Sequence, residues 1–151
     1  MLALNLEAPA QAMRLVLDGM LTRRHGRIVN VASTAGLKGY AYVSAYCAAK
    51  HGLVGLTRSL ATELAATGIT VNAVCPGFTD TPLLDGAVET ITAKTGRSPD
   101  EARASLARAN PQGKLVTPEE VADTVLWLAG EGASSITGQA IVVAGGEVMA
   151  G

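Results

Sequence analysis

Three short runs of β-branched and small apolar residues decide which architectures are open to this chain. Arg27-Ile28-Val29-Asn30-Val31-Ala32-Ser33, Ile69-Thr70-Val71-Asn72-Ala73-Val74 and Ala140-Ile141-Val142-Val143 are each bounded by turn residues. Their near-continuous apolar character fits strands buried on both faces, which means a parallel sheet. Helical patterns separate the runs, as parallel neighbours require. The sequence therefore predicts an α/β fold of about three parallel strands with flanking helices.

The helical segments carry their own punctuation. The first is expected from Leu2 to Thr22, with apolar Leu6, Met13, Val16, Leu17 and Met20. Pro9 lies inside it and cannot donate to the carbonyl of Asn5, so a kink with a free Asn5 carbonyl is expected there. The second begins near Ser44 and ends before Gly68, with Leu53, Leu56, Leu60 and Leu64 as its apolar stripe. Small Ala48, Ala49, Gly52 and Gly55 allow neighbours to approach it closely. Ser98-Pro99-Asp100-Glu101 and Thr117-Pro118-Glu119-Glu120 each read as a capping box with proline at the first helical position. A last helix carries Val121, Val125, Leu126 and Leu128 and stops at Gly130. No repeat, linker or low-complexity stretch divides the chain, so residues 1–151 read as one unit.

Composition removes several classes of function. Hydrophobic residues make up 48% and charged ones 17%, which argues against disorder. Net charge is −1 without a basic run, and aromatics are 3%, so neither nucleic acid nor an anionic membrane is expected as a partner. Cys47 and Cys75 form no C-x-x-C and suggest free thiols rather than a disulfide framework or a zinc site, so no metal is expected. No apolar run reaches the ~18 residues of a membrane span. The stretch from Met1 to Glu7 lacks the basic start of a signal peptide, and a soluble cytoplasmic protein is expected.

Tyr46 and Lys50 fall four apart on a predicted helix, with adjacent side chains. Alone, the pair reads better as a surface tyrosine beside a solvated lysine. Ser33 alters the balance, because it ends the first strand, where ligands gather in open parallel sheets. A phenol titrates near ~10, too high for a base at neutral pH, and a neighbouring ammonium favours the phenolate. Ser33 could then hydrogen-bond a substrate oxygen while Tyr46 exchanges its proton. Such chemistry is carbonyl reduction or alcohol oxidation, with a hydride supplied by a cofactor.

Asn5, Ser33, Tyr46 and Lys50 resemble, in order and spacing, the Asn-Ser-Tyr-Lys tetrad of the short-chain dehydrogenase/reductase family. Gly26 to Ser33 resembles its serine strand, Thr70 to Gly77 its later strand and Pro-Gly turn, and Ile136 to Gly146 its C-terminal signature. The resemblance implies the C-terminal half of a Rossmann-type doubly wound parallel sheet. It makes Tyr46 the general acid/base, Lys50 the residue that lowers its pKa and binds the nicotinamide ribose, and Ser33 the carbonyl-positioning residue. Asn5 would hold a relay water through its main-chain carbonyl. Pro76, Gly77, the backbone of Thr79 and the hydroxyl of Thr81 would meet the nicotinamide carboxamide. Thr81 also reads as a helix N-cap before Pro82. The segment from Leu83 to Val116 would be a substrate lid. The look is nearest to polyketide ketoreductases and 3-oxoacyl-thioester reductases, which implies a 3-oxoacyl or 3-hydroxyacyl substrate. A homodimer or homotetramer is implied, formed through the helices of Asn5 and Tyr46 and the last strand.

The sequence departs from the family in one large respect. It contains neither G-x-G-x-x-G nor the family's Thr-Gly-x-x-x-Gly-x-Gly, and no Asn-Asn-Ala-Gly strand. The nucleotide-binding βαβ part is expected to be absent, leaving an exposed apolar edge at Ile28–Ala32 and a weak hold on cofactor. NAD and NADP are not distinguished, since the selector residue belongs to that part. Ala144 stands where the family often has Asp before Gly145-Gly146. Two rival readings are an inactive truncated member acting only in subunit association, and a serine hydrolase using Ser33 or Ser44 with His51. The hydrolase lacks a G-x-S-x-G elbow.

Overall fold

The computed structural model describes residues 1–149. Strands β1 (Gly26–Val31), β2 (Ile69–Pro76) and β3 (Ala140–Val143) form one sheet in the order β1-β2-β3. Both pairings are parallel, with Val31 opposite Val74 and Val74 opposite Ile141. Central β2 is buried along all eight of its residues, as its near-continuous apolar run predicts. β1 lies at an edge, and its last residue, Val31, is 52% exposed.

The asparagines that interrupt the apolar runs are internally satisfied, as buried amides must be. Asn72 donates to the Ile136 carbonyl at 2.8 Å and accepts from the Gln139 N–H at 3.0 Å, which fixes the approach into β3. Asn30 donates to the Thr57 hydroxyl at 2.9 Å, and Thr57 donates to the Leu53 carbonyl of its own helix.

Helices α1 (Ala8–Arg23) and α2 (Ser44–Leu64) cover one face of the sheet. There Met13, Leu53, Val54, Ala61 and Leu64 pack on Ile28, Ile69, Val71, Ala73 and Cys75, with Leu56 and Leu60 at the margin. Helix α5 (Pro118–Ala129) covers the other face, where Leu128 meets Val74 and Val29, Ile141 and Val143 lie alongside. Full burial of a leucine such as Leu53 or Leu128 contributes about 1.5–3 kcal/mol relative to exposure. Helices α3 (Pro82–Thr95) and α4 (Pro99–Ala107) share a small cluster of Leu84, Val88 and Ala102. Both expected capping boxes form, at Ser98/Glu101 and Thr117/Glu120.

The first helix is not the single helix that its periodicity predicts. Ala3–Glu7 is one turn of π-helix, in which the Ala8 N–H reaches back five residues to the Ala3 carbonyl, and α1 follows. Pro9 supplies no N–H to continue an ordinary ladder, so the expected kink takes the form of a widened turn. At the far end of α2, Gly68 adopts φ +83°, and a Cβ there would stand 2.3 Å from the Arg24 carbonyl oxygen. Only glycine fits that approach.

Candidate active site

Ser33 leaves β1 in extended conformation, and its Oγ accepts the Ala35 N–H at 3.1 Å, capping a short 3-10 turn at Thr34–Gly36. That turn lies directly against α2: a Cβ on Gly36 would stand 2.7 Å from the Lys50 carbonyl oxygen. Glycine at 36 thus brings the backbone after Ser33 onto the helix that carries Tyr46 and Lys50.

Lys50 is 8% exposed, and its Nζ donates to the Val31 carbonyl at 2.9 Å. The same Nζ lies 5.6 Å from the centroid of the half-buried Tyr46 ring. Burial holds the Lys50 pKa below its ordinary value, with the nearby Cys75 acting in the opposite direction. Ser33, Tyr46 and Lys50 are therefore gathered around the carboxyl end of β1.

Asn5 occupies the π turn, and that turn packs on α2. A Cβ on Gly52 would stand 2.9 Å from Leu6 Cδ2. The Asn5 side chain donates to the Met1 carbonyl at 3.2 Å, and among the described residues it makes no hydrogen bond to Ser33, Tyr46 or Lys50.

Pro76 ends β2, and the Gly77 N–H donates to the Val143 carbonyl at 3.0 Å. The Thr79 hydroxyl returns to the Gly77 carbonyl at 3.1 Å, and the Thr81 hydroxyl donates to the Thr79 carbonyl at 3.5 Å. Thr81 sits at the N-cap position of α3 but makes no side-chain cap bond, so the N-cap reading of its hydroxyl is corrected. Ala144, 3% exposed, packs its Cβ within 3.0 Å of where a Gly77 Cβ would stand, which accounts for a small residue there.

Four polar residues at this end of the sheet escaped the sequence reading. Tyr40 Oη lies 2.5 Å from Glu147 Oε1 and 2.7 Å from Thr34 Oγ1, and Lys38 Nζ lies 3.1 Å from the same Glu147 oxygen. Burial, then the bond to Glu147, raises the Tyr40 pKa well above its ordinary value. The one available signal was the Gly145-Gly146 pair, whose turn returns the chain towards the site.

His51 Nδ1 lies 2.9 Å from the Cys47 carbonyl one turn back, and its hydrogen-bond partners among the described residues include neither Ser33 nor Ser44. Cys47 and Cys75 are free and buried. Among the described residues no group of His, Cys, Asp and Glu is arranged to hold a metal, and no helix is long and apolar enough to cross a membrane.

A serine at the carboxyl edge of a parallel sheet, facing a tyrosine–lysine helix, defines a Rossmann-type α/β protein. The chain belongs to the short-chain dehydrogenase/reductase family, and residues 1–147 match the family model described as Enoyl-(Acyl carrier protein) reductase. It is 44% identical over 138 residues to a D-beta-hydroxybutyrate dehydrogenase of Cupriavidus necator, covering 91% of this chain and 54% of that one. It is 40% identical over 146 residues to a 3-oxoacyl-[acyl-carrier-protein] reductase of Rickettsia bellii, covering 97% and 56%. A solved variant of actinorhodin polyketide ketoreductase with NADPH superposes with a TM-score of 0.91 at 45% identity, covering 95% of this chain and 56% of that one. The chain spans about half the length of the curated relatives it matches.

Proposed function

We propose that this chain is the proton-transfer part of an NAD(P)-dependent oxidoreductase that interconverts a carbonyl and a secondary alcohol. The observation that carries this reading is the buried Lys50 ammonium, anchored on the Val31 carbonyl beside the Tyr46 ring. A lysine held there stabilises negative charge developing on the Tyr46 oxygen, which suits Tyr46 to give or take the substrate proton. Ser33 donates its hydroxyl hydrogen to the substrate oxygen while its own Oγ is oriented by the Ala35 N–H.

The residues fit a nicotinamide at this edge. Lys50 carries three donors and spends one on Val31. The Thr81 hydroxyl is not consumed by helix capping, which leaves it suited to a carboxamide together with the backbone of Thr79. Pro76 and Gly77 shape the turn beneath them. The dinucleotide, when bound, supplies or accepts the hydride. Asn5, on its π turn against α2, is assigned the relay water.

A 3-oxoacyl or 3-hydroxyacyl substrate is proposed because the relatives are named for ketoacyl, 3-oxoacyl and 3-hydroxybutyrate chemistry. Helices α3 and α4, with their apolar cluster, form the proposed substrate lid. A homo-oligomer is proposed on exposed Leu4, Leu15 and Val16, which lie along the π turn and α1. The same exposed residues favour a second reading, in which the chain serves subunit association without turnover.

The deciding measurement is NADPH consumption with a 3-oxoacyl thioester, run at millimolar NADPH because the sequence holds no glycine loop. Turnover by the wild-type chain and its loss in Tyr46→Phe support the oxidoreductase. A self-associating chain with no turnover leaves the association module.

A further inference from the structure

One buried carboxylate outside the Tyr46–Lys50 group lies between the two segments that frame it. The chain reverses after β3 in a turn closed by the Glu147 N–H to the Ala144 carbonyl at 3.0 Å. Gly145 and Gly146 adopt φ +57° and +94°, the pair of left-handed residues that a type I′ turn requires. The space forbids a side chain as well, since a Cβ on Gly145 would lie 1.9 Å from Asn110 Oδ1.

The turn delivers Glu147 back over the site, where its side chain is only 4% exposed. One oxygen meets Tyr40 at 2.5 Å and Lys38 at 3.1 Å. The other lies 2.9 Å from where a Cβ on Gly77 would stand, so glycine at 77 is what admits the carboxylate. A phenol has one proton and an ionised carboxylate only accepts, so Tyr40 donates to Glu147. The Thr34 hydroxyl then donates to the Tyr40 oxygen at 2.7 Å. Thr34 directly follows Ser33, and Gly77 directly follows β2.

Resting on the oxidoreductase reading above, we propose that Glu147 is a positioning residue for that reaction. Through Tyr40 and Thr34 on one side and Gly77 on the other, it holds the Ser33 turn and the Pro76–Gly77 turn in fixed relation. Ser33 and Tyr46 can then address the same substrate oxygen.

Two variants test this in the full chain. Tyr40→Phe keeps the ring that meets Phe78 edge-on at 6.1 Å and deletes only the hydroxyl. Glu147→Gln keeps the shape and deletes the charge that Lys38 faces. In each, amide exchange at Ala35–Lys38 and at Gly77 is expected to accelerate about tenfold. At a temperature where circular dichroism shows every protein folded, kcat falls about ten- to a hundredfold, while KM for the thioester stays within about threefold. The double variant falls no further than the worse single one, because both act through one bond. Should Glu147→Gln fail to fold, Tyr40→Phe decides alone. Wild-type kcat in these variants, with Tyr46→Phe inactive, overturns the positioning role and leaves the proposed function standing. Full turnover by Tyr46→Phe, or none by the wild-type chain, removes the proposed reaction and the positioning role with it.

Discussion

The Lys50 ammonium reaches under Tyr46 to the Val31 carbonyl, 2.9 Å away, and so joins the middle of α2 to the carboxyl end of β1. This contact has a cost, because Lys50 is 8% exposed and burial disfavours its charged form. A sequence optimised only for stability would place an apolar residue here.

Lys50→Met is therefore expected to keep or raise the thermal midpoint while reducing turnover at least about a hundredfold. The two effects should also separate with pH. Lys50 has a folded-state pKa below its unfolded value, so the unfolded chain binds more protons between the two. Stability of the wild type relative to Lys50→Met should then rise with pH as it climbs towards the ordinary lysine value of ~10.4, and be lowest below that window. Tyr40, whose pKa is raised, lowers stability at alkaline pH in both proteins and cancels in the comparison. Melting curves of the pair between neutral and alkaline pH measure this. A difference that does not change with pH would show that burial does not perturb Lys50.

Two glycines in or against α2 should respond in opposite directions. Gly36→Ala places a Cβ 2.7 Å from the Lys50 carbonyl oxygen, a backbone atom that cannot swing aside. A loss of about 1–3 kcal/mol is expected, together with reduced turnover as the Ser33 turn lifts from the helix. Gly55 lies inside α2 with nothing within 4 Å of where a Cβ would stand, so Gly55→Ala should stabilise by about 0.5–1 kcal/mol. Urea denaturation of both variants gives the two signs directly.

Leu53 is 1% exposed and lies between α2 and the sheet face of Val71 and Ala73. Leu53→Ala should cost about 2–5 kcal/mol, chiefly through the cavity it leaves. Exposed Leu126, on the outer side of α5, should tolerate the same change within about 0.5 kcal/mol. Equal losses at the two positions would mean that α5 is covered in solution.

The contrast between what the residues announced and what they concealed follows contact range. Near-continuous apolar runs announced a parallel sheet, and proline with Ser or Thr three residues before Glu announced α4 and α5, because those signals are local. Ser33, Tyr46 and Lys50 were legible because one strand, one turn and one helix place them. The Glu147–Tyr40 bond joins residues from distant parts of the chain with no shared periodicity, so neither residue drew attention. The π turn was half legible: Pro9 marked the break in the ladder, but nothing local chose a widened turn over a bend. Thr81 misled for a related reason, since threonine before proline usually caps, and here its hydroxyl turns to the Thr79 carbonyl instead.

Cofactor affinity gives a sharper test of where the site ends within these 151 residues. A dinucleotide is usually gripped by its pyrophosphate, on the N–H groups of a helix N-terminus that follows a glycine loop. No such loop occurs in this sequence, and the residues proposed for cofactor (Tyr46, Lys50, Pro76, Gly77, Thr79 and Thr81) would all address the nicotinamide end. Binding of NADPH by this chain is thus expected in the millimolar range, about −4 kcal/mol. Reduced nicotinamide mononucleotide, which lacks the adenosine half, should bind within about threefold of NADPH, since the missing half has little to touch. Lys50→Met should weaken both ligands equally. Titration calorimetry with the two ligands measures the ratio, and a preference for NADPH of about a hundredfold or more would place an adenosine or pyrophosphate contact within this chain.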